Sequence, residues 1–213
     1  MTPRRVFACQ RGYTLAEMLV AAAVIGLVLA GLLSLLMSGQ QAFVTGSNRT
    51  EAVSSSRIVL FRMAEEVRTG GYDPRNTASF AAITPLNPPN VGFTIGNDWN
   101  ATGAIESNLL VNVNGTNRGE QITYSVVGTA LRRQESVVDG AAVEITNTLN
   151  NIVITYLNAD DVDVTATAHQ ATTAPTIRTV VVTVTTNPDV QESGTVTDVA
   201  LTSTIRARVR NRS

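Results

Sequence analysis

The chain has 213 residues, with 16 arginines and no lysine against 17 acidic residues, for a formal net charge of −1. That near-balance argues against bulk electrostatic binding of nucleic acid, and the missing lysine excludes a Walker-type phosphate loop or a Schiff-base mechanism. A single cysteine, Cys9, excludes a disulfide framework, so stability has to come from an ordinary core.

In chain order, a short basic head carries Arg4, Arg5 and Arg11 and ends at Gly12. Tyr13, Thr14, Leu15, Ala16 and Glu17 come next, and then twenty residues from Met18 to Met37 without a charge. Such a run is long enough to cross the roughly 30 Å hydrocarbon core as a helix. Three arginines precede it and Glu17 is the only acid beside it, so the positive-inside rule keeps the head in the cytoplasm and exports the body. A Sec signal peptide would have a shorter apolar region, with a cut after it marked by small residues. An acid costs about 2.5–3.5 kcal/mol at the centre of an inserted helix and less near the interface, so Glu17 calls for a reason. One reason is a capping box. Thr14-x-x-Glu17 ahead of an apolar run satisfies free N–H groups at a helix start.

After Met37 the pattern turns amphipathic. Val53, Ser56, Leu60, Met63 and Val67 recur at intervals of three or four, while Glu51, Arg62, Glu65, Glu66 and Arg68 fall off that stripe. No proline occurs between Pro3 and Pro74, and Gly70-Gly71 before Asp73-Pro74 reads as a stop. One helix from about Thr14 to Thr69 is predicted, some 55 residues and roughly 80 Å at 1.5 Å per residue. Its second half is the face on which an exported domain packs.

Residues 72–93 read as irregular surface loop, with a short strand at Val91–Ile95. Trp99, in an Asn-Asp-Trp-Asn turn, is either a contact anchor or a cover for the edge of its own core; the second reading fits tryptophan's usual burial better. Strands are predicted at Leu109–Val113, Gln121–Val127, Thr129–Arg133, Asn151–Leu157, Arg178–Val184 and Val199–Arg210, several with period-2 alternation. One long helix followed by strands points to an α+β fold, with the helix packed against an antiparallel sheet.

Candidate chemistry is sparse. His169 lies in an Ala/Thr-rich loop with no candidate partner nearby. No serine sits in a G-x-S-x-G setting. Asn158, Asp160, Asp161 and Asp163 offer oxygens at calcium-like spacing, but the glycine and distal glutamate of an EF-hand loop are missing, so a plain acidic turn is the better reading. Arg206, Arg208, Arg210 and Arg212 recur at every second residue, on one strand face opposite Ala207 and Val209. The row is either a solvated face or a grip for an acidic neighbour, lipid headgroups or DNA phosphates. No enzyme, cofactor or metal centre is read from the chain.

The whole N-terminal string resembles the class III signal of type IV pilins and type II secretion pseudopilins: basic leader, Gly12, aromatic Tyr13, Thr14-Leu15-x-Glu17 and an apolar twenty-mer. In that family a membrane-embedded aspartyl peptidase cuts after the glycine and N-methylates the new first residue. The resemblance implies a cut between Gly12 and Tyr13, a methylated Tyr13, and an assembly role for Glu17 with Thr14 and Leu15. The new amine would lie four residues from Glu17, and the two charges would compensate each other, within one chain or between neighbours. Removing residues 1–12 takes away three arginines and no acid, leaving a net charge of −4. The division implied is 1–12 leader, 13–37 membrane and assembly half-helix, 38–70 amphipathic half-helix and 71–213 exported β-rich domain. Four later pieces look like the PilW family of minor pilins and its GspJ-type pseudopilin relative. They are Val67–Pro74, Ile122–Tyr124 with Leu131–Arg133, Ile154–Asp160 and Leu201–Arg208. These resemblances imply a minor pilin, with a secretion pseudopilin as alternative and a DNA-binding or adhesive subunit as a third reading. Its partners would be other pilin subunits, the prepilin peptidase and the inner membrane, before display on a pilus or in a periplasmic pseudopilus.

Overall fold

The computed structural model describes residues 12–77, 79–146, 149–186 and 201–209. They fall into two compact units, one ending at Gly46 and one beginning at Ser47. Helix α1, Leu15–Thr69, starts in the first and ends in the second. Its limits agree with the predicted Thr14–Thr69, because the chain holds no proline there to interrupt the backbone ladder.

In the first unit the helix is exposed at nearly every described position. Among the described residues, no side chain of that unit forms part of the hydrophobic core.

The second unit is built around the last five turns of α1. Ala52, Ser56, Val59, Leu60, Met63, Ala64 and Val67 are buried, a stripe at three- and four-residue spacing. Gly70 closes the helix because there is no room for a larger residue: a Cβ would sit 2.8 Å from the Ile95 side chain. Gly71 comes next at φ 80° and donates its N–H to the Gly96 carbonyl at 2.8 Å, which ties the helix exit to the sheet.

The strands are β1 Ile83–Pro85, β2 Gly92–Gly96, β3 Leu110–Val113, β4 Thr116–Gly119, β5 Gln121–Val127, β6 Ala130–Glu135, β7 Val143–Thr146, β8 Leu149–Leu157, β9 Thr179–Thr186 and β10 Leu201–Arg208. All pairings among them are antiparallel. They form a five-stranded sheet in the order β1-β2-β5-β6-β7, a three-stranded sheet β10-β9-β8 and the hairpin β3-β4. The single predicted sheet is therefore three. Residues 72–93 are less irregular than predicted, since Ile83–Pro85 pairs with Phe93–Ile95. The strand predicted at Val91–Ile95 starts at Gly92, after a 3-10 turn over Pro89–Val91.

Core residues come from both larger sheets. Phe93, Ile95, Ile122, Tyr124 and Leu131 supply one side, and Ile154, Tyr156, Val180, Val182, Val184, Ala207 and Val209 the other. Phe93 lies between the two tyrosines, 5.6 Å from Tyr124 and 6.4 Å, edge-on, from Tyr156. The Tyr156 hydroxyl donates to the carbonyls of Pro89 and Gly92, at 3.0 and 3.1 Å.

A polar network fastens the helix to the five-stranded sheet. Glu66 accepts from the Tyr124 hydroxyl at 2.6 Å and from Arg133 Nε at 3.0 Å. Arg133 is 9% exposed in its side chain and also reaches Glu135 at 2.8 Å and Asp139 at 3.1 Å. Arg118 Nε donates to Glu135 at 3.0 Å. Burial works against the Arg133 charge, but its bonds to Glu66 and Glu135 carry the guanidinium pKa above its ordinary value. The network costs desolvation on every member, so the severe change is to remove one partner and strand the others.

Arg133→Ala removes the cation shared by Glu66, Glu135 and Asp139, leaving Glu66 only the half-exposed Arg62 at 3.4 Å and Glu135 only Arg118 at 3.0 Å. It is expected to lower unfolding stability by about 3–5 kcal/mol, read from denaturant midpoints. A loss below about 1 kcal/mol would show that the network does not hold the helix.

Candidate functional site

The candidate site is the start of α1. Gly12, Tyr13 and Thr14 are exposed and precede the helix, which begins at Leu15. Thr14 is its N-cap. Its carbonyl accepts from the Met18 N–H at 3.2 Å, the first bond of the helical ladder. The Thr14 hydroxyl accepts from the Glu17 N–H at 3.2 Å. Glu17 Oε2 accepts in return from the Thr14 N–H at 3.0 Å and from its hydroxyl at 3.1 Å. This is the reciprocal capping box read from the sequence. It engages one oxygen of Glu17, Oε2, and brings no cation to the carboxylate.

Beyond the cap, the apolar run offers itself to an outside partner. Leu15–Thr69 contains a window of mean hydropathy 2.7, none of it buried, which is long and apolar enough to cross a membrane. Leu27 and Leu35 are 75% and 72% exposed, and a Cβ at Gly26, Gly31 or Gly39 would meet nothing within 4 Å. Nothing among the described residues therefore requires those glycines.

The remaining residues marked by the sequence lie in the second unit. At the end of β10 and just past it, Ala207 and Val209 are buried while Arg206 and Arg208 are exposed, the alternation expected of a strand. Arg206 is ion-paired with Asp161, so one end of the arginine row meets the acidic turn. Arg210 and Arg212 lie outside the described residues, as does Cys9. In that turn Asn158 Oδ1 accepts from the N–H groups of Asp160 and Val162 at 2.9 and 3.0 Å, the geometry of a braced turn. Among the described residues no group of three or more His, Cys, Asp or Glu side chains is placed to hold a metal. His169 is exposed, in the turn between the short 3-10 segments at Thr165–Thr167 and Ala174–Thr176.

Trp99 covers an edge of its own domain, as its burial preference implied. It stacks on Tyr72 at 5.0 Å, lies 5.7 Å from the Arg118 guanidinium and donates Nε1–H to the Gly119 carbonyl at 3.2 Å.

The role of Glu120 was not legible in the sequence. It is completely buried and accepts from the N–H groups of Trp99 at 3.1 Å, Asn100 at 3.4 Å and Glu106 at 2.8 Å, gathering the loop 97–106 around one carboxyl group. Burial, with the Glu106 carboxyl beside it, pushes Glu120 up to about 7. The only sequence signal was an acid between Gly119 and a strand start, which normally marks a turn.

Residues 7–33 match a protein-family model described as the prokaryotic N-terminal methylation motif. The match spans the end of the basic head, the capping box and the first part of the apolar run. It marks this N-terminus as a signal of the type IV pilin-like or pseudopilin-like prepilin kind. No curated protein and no solved structure matches the chain.

The cap itself is expected to be worth about 1 kcal/mol, so Thr14→Ala should fray the first turn without altering the domain's unfolding. Amide exchange at Met18 and its neighbours in detergent reads this; unchanged protection there would contradict the capping assignment. In the domain, Glu120 keeps its proton to about 7 in the fold but loses it in the ordinary carboxylate range once unfolded. Stability is therefore expected to fall as pH rises from about 5 to about 8, by at most about 3 kcal/mol. Glu106, held below its usual value by its bond to Glu120, acts in the opposite sense, losing its contribution as pH falls. Glu120→Gln should flatten the slope, and an unchanged slope would contradict the burial argument.

Proposed function

We propose that this chain is a minor pilin of the PilW type, a structural subunit that enters or primes a type IV pilus through its apolar half-helix. The observation that carries the reading is Glu17: a carboxylate at the mouth of a charge-free, exposed stretch of α1, inside a methylation-motif match. In this reading prepilin peptidase cuts between Gly12 and Tyr13 and methylates Tyr13. The new amine then pairs with Glu17 of its own or a neighbouring subunit. Residues 13–37 anchor the subunit in the inner membrane before assembly, and 38–70 carry the exported domain. A pseudopilin of a type II secretion system is the second reading, and it shares every one of these physical steps.

The capping box and the assembly role of Glu17 predict different outcomes for one substitution. Glutamine at N3 can still reach back to the cap but carries no charge. If capping were all, Glu17→Gln would behave as wild type. If the carboxylate receives an amine, the variant is trimmed normally yet fails to enter fibres, and sheared surface fractions lose it by more than about tenfold. Wild-type levels of the variant in those fractions would contradict the proposal. Wild-type chain absent from sheared fibres, together with failed protein export on deletion, would favour the pseudopilin reading.

A further inference from the structure

The corner where β4 runs into β5 holds an acid with no cation of its own. Glu120 stands between Gly119, the last residue of β4, and Gln121, the first of β5, and is completely buried. Its Oε1 accepts from the N–H groups of Trp99 and Asn100, and its Oε2 from that of Glu106. Beside it lies the half-buried Glu106 carboxyl, bonded to it and steadied by the Thr102 hydroxyl at 3.0 Å and Asn100 Nδ2 at 3.2 Å. The other charged groups of the elements around this corner have partners elsewhere. Asp98 accepts from the N–H groups of Thr102 and Gly103 at 3.0 and 2.8 Å, and Asp73 from the Thr77 hydroxyl at 3.2 Å. Arg118 bonds Glu135 and lies over Trp99. Among the described residues Glu120 forms no ion pair.

Two carboxyl groups in contact in a buried corner do not both ionise at low cost, since burial penalises each charge and weakens the screening between them. The three N–H bonds favour an ionised Glu120 but bring only partial charges. One proton between the two groups removes the repulsion and adds an O–H···O bond. Burial and the Glu106 neighbour keep that proton on Glu120 up to about 7. The two groups differ in freedom. Glu120 is fixed by a strand on either side, whereas Glu106 lies in a loop, tied to Asn100 and Thr102, which move with it. The near end of that loop is fastened just past the exit of α1: the Asp98 N–H donates to the Tyr72 carbonyl at 2.8 Å, and Trp99 stacks on Tyr72.

We propose that Glu106 and Glu120 are a proton-held latch. With one proton between them, loop 97–106 is closed on the β4–β5 corner; when that proton leaves, repulsion lifts residues 100–106 and uncovers Trp99. Asp98 and Tyr72 hold the near end, so the opening is local and the sheets stay folded. The latch works the same way whether the chain serves a pilus or a secretion pseudopilus.

Trp99 is the only tryptophan in the chain, so its emission reports this loop alone. The full chain in detergent is titrated from about pH 5 to about pH 9. Emission is expected to shift to the red with a midpoint at about 7, and acrylamide to quench it several-fold more above that midpoint. Far-UV circular dichroism should stay constant, while exchange of the Asn100 and Glu106 amides accelerates more steeply than hydroxide catalysis alone gives. Glu120→Gln supplies a permanent donor: its carbonyl takes the Trp99 and Asn100 N–H groups and its amide faces the Glu106 carboxylate. Glu106→Gln removes the repulsion and leaves the buried Glu120 in place. Both variants are expected to stay closed, with no step in emission; should Glu120→Gln fail to fold, Glu106→Gln decides alone. Flat emission in the wild type, a step that survives in either folded variant, as titration of His169 would give, or a step that coincides with loss of the far-UV signal would each overturn the proposal.

Discussion

A single carboxylate, Glu17, stands at the edge of the charge-free stretch Met18–Met37 of α1, and any apolar surroundings for that stretch have to accommodate it. In an apolar medium Glu17 would be penalised, and the capping box would relieve only part of that penalty, because hydrogen bonds from one threonine do not cancel a full charge. An arginine or lysine four residues along would have been the simple remedy. The run from Met18 to Met37 has neither. In the proposed reading the compensating cation is the amine exposed by a cut after Gly12, within the stretch that matches the methylation motif over residues 7–33.

Within the Ser47–Ser213 unit the governing interaction is different in kind. The final turns of α1 bury a narrow apolar stripe, and Glu66, on its margin, is gripped by Tyr124 and Arg133 from the five-stranded sheet. Apolar burial supplies most of the attraction and is non-directional. The Glu66–Arg133–Glu135–Asp139 chain of bonds adds direction, since its geometry fits one rotation of the helix about its axis. With no disulfide available, such a network is a source of uniqueness in the packing.

Both ends of the long helix were legible in the sequence because each rests on short-range chemistry: Thr14-x-x-Glu17 at the start and Gly70-Gly71 at the stop. The strands at Gln121–Val127, Asn151–Leu157 and Arg178–Val184 were legible through β-branched residues and alternation, and the structure moves their ends by two residues or fewer. Ile83–Pro85, Thr116–Gly119 and Val143–Thr146 were not. Each is three or four residues long, too short for an alternation to register, and takes its place by pairing with a neighbouring strand rather than from its own pattern. The split into separate sheets was also hidden, because local periodicity does not encode which strands become neighbours. Arg133 and Glu120 were hidden for a related reason. Charged residues are expected at the surface, and only the fold shows that these two are surrounded.

The most direct measurement is the intact mass of the protein taken from its native membranes, with sequencing of its first residues. The expected chain starts at Tyr13 and carries one N-methyl group. A chain starting at Met1, or one cut beyond Met37, would leave Glu17 without its intended partner and contradict the assembly role given to it.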